Sequence, residues 1–198
     1  NNRKKLSAHQ NKLLSDILKG FRLSGVHLDS KKRKLFRDSQ NKLAELEAKF
    51  EQNILDSTTA WELNLKAEKS LKGMPSNAIE TAAEVAKSRN QKGYTLTLDQ
   101  PCYMAVMTFA KDQKLRKKVY LAYASRASSK FPVKGQWDNT KIIEEILKLR
   151  QTMSEILGFE NFAEYSLATK MAKKPSDVID FLNSLKEKAI KKSRSEIL

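Results

Sequence analysis

The stretch from about Ser30 to Asp56 limits the fold more than any other part of the chain. Its apolar residues Leu35, Phe36, Leu43, Leu46, Phe50 and Ile54 recur mostly three or four apart, which gathers them on one side of an α-helix. At 1.5 Å per residue such a helix is roughly 40 Å long. Clean heptads are too few to prefer a coiled coil. Six glycines and four prolines in 198 residues also favour helices over a turn-rich β fold. That length suits one domain with a real core or two small ones.

Other segments repeat the pattern. Residues 4–22 read as an amphipathic helix with Leu6, Leu13, Leu14, Ile17, Leu18 and Phe21 on one face, broken at Gly25. Residues 77–91 are alanine-rich and helical, and 101–110 and 111–128 give two further helices. Asp138 or Asn139 can cap the next helix, whose face is Ile142, Ile143, Ile146, Leu149, Met153, Ile156 and Leu157. Gly158 then supplies a left-handed helix stop, and Asn161 with Glu164 a capping-box-like restart. This makes Phe159, Phe162 and Tyr165 the filling of a helix–turn–helix corner. Pro175 opens the last helix, with Val178, Leu182, Leu185 and Ala189 on its apolar face.

Two short segments break the helical period. Trp61, Leu63 and Leu65 alternate with polar neighbours, as do Tyr94, Leu96 and Leu98. The expected fold is therefore mainly α: an antiparallel, bundle-like helical array with a small inserted antiparallel sheet, its strands near 60–66 and 94–98. A subdivision into 1–130 and 137–198 is expected around the loop "KGQWDNT".

Reactive groups are sparse. His9 and His27, the only histidines, are 18 residues apart, and neither has a glutamate at metal-binding spacing. Cys102 is the single cysteine, so no disulfide forms within the chain, and its apolar surroundings predict a buried, inert thiol. No Gly-rich phosphate loop is present. Glu144 and Glu145 are expected to pair with Lys141 and Lys148 one turn away. No catalytic and no metal-binding residue is assigned, and the substrate-binding residues are unknown. The longest apolar run, about Tyr103 to Ala110, is too short to cross a bilayer.

The net charge is +15, with +8 in residues 1–50 and +7 in residues 101–150. Such a balance invites a nucleic-acid reading. The run Lys31-Lys32-Arg33-Lys34 has no aromatic interleaving, however, and reads as a solvated helix start, so nucleic acid is disfavoured. A basic helical module binding nucleic acid or acidic partners stays as the competing reading.

Read in order, "FRLSGVHL" (21–28), "LAELEAKFEQNILDSTTAW" (43–61), "GMPSNAIETA" (73–82), "GYTLTLDQPCYMAVM" (93–107), "YLAYASRAS" (120–128) and "LGFENFAEYSLATKMA" (157–172) resemble the thimet oligopeptidase family of zinc metallopeptidases. The resemblance covers nearly the whole chain and implies a piece of a larger, mostly helical cytoplasmic enzyme that cuts short peptides in a deep channel. It implies zinc held by H-E-x-x-H and a downstream glutamate, the H-E-x-x-H glutamate activating the zinc-bound water. None of those residues occurs in this sequence, so the resemblance implies zinc in the full-length protein and none bound here. On this reading the chain contributes channel wall and scaffold, is inactive alone, and looks cut at both ends. Ile190, Ile197 and Leu198, uncovered by any later segment, then favour self-association.

Overall fold

The computed structural model describes residues 6–197. Eight α-helices and one two-stranded sheet follow in the order α1 (Ala8–Leu23), α2 (Ser30–Ala60), β1 (Glu62–Leu65), α3 (Ser76–Ser88), β2 (Tyr94–Thr97), α4 (Gln100–Phe109), α5 (Gln113–Ala124), α6 (Thr140–Ile156), α7 (Phe162–Leu167) and α8 (Pro175–Ile197). A 3-10 turn, Glu68–Leu71, lies between β1 and α3. The architecture is mainly α with a small sheet, as the apolar periods predict. Residues 4 and 5 of the expected first helix, and Leu198, lie outside the described residues.

Local chemistry sets the boundaries. Ser7 caps α1: its Oγ accepts the Gln10 N–H at 3.3 Å, and Gln10 Oε1 accepts the Ser7 N–H at 2.9 Å. Asp112 Oδ1 accepts the backbone N–H groups of Lys114 and Leu115 at the start of α5. Where α6 begins, Asp138 Oδ1 accepts the Thr140 hydroxyl at 2.7 Å and the Thr140 N–H at 3.0 Å, and these two hydrogen bonds hold its carboxyl below the usual range.

α6 ends in the predicted stop. Gly158 has φ +85°, its N–H donates to Glu155 O at 3.0 Å, and the Phe159 N–H donates to Ser154 O at 2.9 Å. The restart differs in one detail. Asn161 Oδ1 accepts the Glu164 N–H, but the Glu164 carboxylate reaches back to the N–H of Glu160 rather than of Asn161.

β1 and β2 pair antiparallel, with Glu62 opposite Thr97 and Leu65 opposite Tyr94. Gly93, at φ +89°, enters β2 against β1's end, where an added Cβ would stand 2.2 Å from the Leu65 carbonyl oxygen. Asn64 Nδ2 donates to Lys92 O and to Thr95 Oγ1, both at 3.0 Å, and fastens the approach to β2.

The chain divides into two compact units. One takes residues up to Ala44 together with those from Ile146, and the other is Glu45–Glu145, so the division falls inside α2 and α6. The Glu45–Glu145 unit holds the larger core, built on Trp61, Leu71, Leu96, Leu98, Val106, Leu115 and Val119. Its α2 segment is tied to the loop before α6 by a buried amide pair. Asn53 Nδ2 donates to Asn139 Oδ1 at 2.8 Å, and Asn139 Nδ2 donates to Phe50 O at 3.1 Å. The other unit is built on Leu28, Phe36 and Met153, flanked by Leu43, Ile156 and Leu157.

Several predicted faces are amphipathic yet uncovered. On α1, Leu13, Ile17, Leu18 and Phe21 are exposed, and α1 buries no residue. On α8, Leu182 is 52% and Leu185 46% exposed, while Val178 on the same face is half-buried. Leu35 is exposed while its neighbour Phe36 is buried. Periodicity fixes which residues share a face; burial needs a second element over that face. The expected pairing of Glu144 and Glu145 with Lys141 and Lys148 does not form, and all four side chains are solvated.

Candidate functional site

A chiefly apolar groove of about 480 Å³ lies between α3, β2 and α4 in the Glu45–Glu145 unit. Asp99 positions one wall. Its Oδ1 accepts the Cys102 N–H at 3.1 Å and so starts α4, where Pro101 in the first turn loses no helical bond. Asp99 is held in turn by the Thr97 hydroxyl. This start brings Cys102 back over β2, and its Sγ accepts the Thr97 N–H at 3.4 Å. Met104, Ala105, Thr108 and Phe109 continue the wall along α4. Across the groove, α3 presents Ala78, Ala82 and Val85, with Met74 before it. Thr95 and Thr97 of β2 also line the groove.

The lining is chiefly apolar, with two titratable groups, Asp99 and Cys102. Burial pushes the Cys102 thiol up; the hydrogen bonding with Thr97 opposes this, and the Asp99 charge adds to it. At neutral pH the thiol keeps its proton. Neither histidine belongs to this groove: His9 is exposed on α1 and His27 is exposed before α2. The arrangement can hold an apolar side chain, but it offers no paired nucleophile and base for bond cleavage. Cys102, read as a buried inert thiol, is half-buried and protonated.

The aromatic corner is a packing joint. Phe159 and Phe162 lie 5.5 and 5.8 Å from the Tyr165 ring, the second edge-on, and the Arg150 guanidinium sits 5.0 Å over Phe162. Tyr165 Oη donates to Leu23 O at 3.5 Å, and burial raises its phenol above the ordinary range. Among the described residues, no three of His, Cys, Asp and Glu converge as metal donors. Two exposed histidines and a protonated thiol do not fit a zinc site. Sequence reasoning missed the groove. Met74, Met104 and Phe109 meet there only through packing, and the one local signal was an apolar α4 with Met104 and Phe109 outside its buried face.

Comparison with known proteins gives a consistent set of relatives. The model of peptidase family M3 matches residues 106–197. Oligopeptidase A of Haemophilus influenzae is 41% identical over 191 residues, covering 96% of this chain and 28% of that protein. The similarity is to peptidase family M3. Within that family, oligopeptidase A of Escherichia coli is 41% identical over 192 residues, 97% of this chain and 28% of the relative. Saccharolysin of Saccharomyces cerevisiae is 30% identical over 177 residues, 88% of this chain and 23% of the relative. The chain thus spans a little over a quarter of the length of the bacterial relatives it matches. The family match takes in the end of α4, the aromatic corner and α8, while the relatives extend it over the sheet and α3. No helix among the described residues is long and apolar enough to cross a membrane.

Proposed function

We propose that the chain is a non-catalytic helical part of an oligopeptidase A-like zinc metalloendopeptidase. The whole enzyme hydrolyses short peptides in the cytoplasm, and this part supplies channel wall and scaffold. The reading rests on one observation: 41% identity to oligopeptidase A across 96% of the chain. The sequence itself holds no H-E-x-x-H, so the chemistry belongs to the remaining three quarters of a protein as long as those relatives. By itself the chain should cleave no peptide and bind no stoichiometric zinc. The groove between α3, β2 and α4 then serves contact with apolar chain rather than reaction.

The test has two parts. The reading frame after Leu198 should encode H-E-x-x-H; its absence would end the peptidase reading. The purified 198-residue chain, titrated with zinc by calorimetry and assayed on a quenched fluorescent peptide, should give neither a one-to-one complex nor turnover. Tight zinc binding or chelator-sensitive cleavage by this chain alone would contradict its assignment as scaffold.

A second reading has one specific observation behind it. α5 contains no acidic residue, and its Lys114, Lys117 and Lys118 make no ion pair among the described residues. Like charges one turn apart weaken a helix unless an anion neutralises them. A basic module binding nucleic acid or acidic partners would show a steep loss of affinity with salt in a gel shift at two salt concentrations. Weak, non-saturating shifts at physiological salt would dismiss it.

A further inference from the structure

A second concavity, in the unit that contains α1, is small and strongly charged. This cleft of about 300 Å³ is lined by Lys12, Asp16 and Lys19 of α1 and by Thr169, Lys170 and Lys173 beyond α7. Lys12, Asp16 and Lys19 are spaced four and three apart, so one face of α1 presents them together. Lys170 and Lys173 come from a segment about 150 residues later in the chain. The fold, not a local charge run, therefore brings four ammonium groups to one cleft with a single carboxylate.

The internal partners leave positive charge over. Lys12 Nζ pairs with Asp16 Oδ1 at 2.5 Å, and Lys170 Nζ donates to Ser166 Oγ at 2.8 Å, a neutral partner. Lys19 and Lys173 have no side-chain partner among the described residues. Gathering cations raises their mutual repulsion, and an anion seated among them relieves it. Lysine suits phosphate as a point charge with rotatable donors. No aromatic lines the cleft to stack a base, which argues against single-stranded nucleic acid as its occupant. Two adjacent phosphates carry roughly three negative charges, the excess of four lysines over one aspartate.

We propose that this cleft binds a compact anion carrying two adjacent phosphates, held by Lys12, Lys19, Lys170 and Lys173. Inorganic pyrophosphate, without magnesium, is the probe. Calorimetric titration of the 198-residue chain should show saturable one-to-one binding, tighter than for inorganic phosphate and weaker at higher salt. The double variant Lys19→Ala/Lys170→Ala should weaken it about tenfold or more, since charge-assisted hydrogen bonds are lost. The pair Lys114→Ala/Lys117→Ala on α5 should leave it unchanged. All four are exposed side chains, so helical circular dichroism should match the unchanged chain in both variants. No saturation at millimolar pyrophosphate would overturn the proposal, as would equal weakening by both variants. Binding to a single-stranded oligonucleotide or to anionic vesicles without binding to pyrophosphate would also overturn it.

Discussion

Gly158 and Gly93 share a left-handed backbone and differ in what surrounds them. An added Cβ at Gly158 meets nothing within 4 Å, so Gly158→Ala carries only the conformational penalty, about 1 kcal/mol. At Gly93 the Cβ would also strike the Leu65 carbonyl at 2.2 Å, so Gly93→Ala should cost more than about 2 kcal/mol. Urea titration of the two variants should rank them in that order, and equal midpoints would contradict the close approach at β1. Cys102 gives a signature in pH. Its folded thiol titrates above the ordinary range, so the stabilisation is fully present below the unfolded pKa. As pH rises past that value the unfolded thiol ionises first, and stability falls until the folded thiol follows. Denaturant midpoints of the unchanged chain should drop over that alkaline window relative to Cys102→Ala. Parallel curves would mean that the thiol is not desolvated.

At the level of elements, α8 is the one to watch. It runs over 23 residues, buries none of them, and presents Ile179, Phe181, Leu182 and Leu185 to solvent. A helix packed this thinly gains little of the tertiary stabilisation that holds most helices in proteins. Its amides should exchange with deuterium far faster than those of α4 and α5, which hold buried Val106, Leu115 and Val119. Equal protection would mean that something covers α8. The same element shows what a sequence discloses. Pro175 announced where α8 begins, and Gly158 where α6 ends, because both effects are decided within a turn of backbone. The alternation at Leu63, Leu65 and Leu96 gave the two strands for a similar reason. Whether Leu182 is covered depends on another element, and no local period encodes that. The groove and the lysine cleft were hidden alike: each joins segments whose meeting is a product of tertiary packing.

For the molecule as a whole, apolar exposure and positive charge act against each other. Leu13, Ile17, Phe21, Phe181, Leu182 and Leu185 all belong to the unit with the smaller core. Fully burying one such side chain is worth about 1.5–3 kcal/mol, while a net +15 repels a second copy until salt screens it. Sedimentation should therefore show average mass rising with protein concentration, and more steeply at high salt; a strict monomer throughout would remove self-association. The two tryptophans, Trp61 and Trp137, both fall in Glu45–Glu145, the first buried in its core and the second half-buried against Gly135 in the loop before α6. The chain thus carries its own optical labels, confined to one unit. Indole emission is blind to the loss of the other unit, whereas far-ultraviolet dichroism registers every helix. If the smaller core yields first, ellipticity will begin to fall in urea while the fluorescence stays at its native colour, and acrylamide will quench Trp137 well before it reaches Trp61.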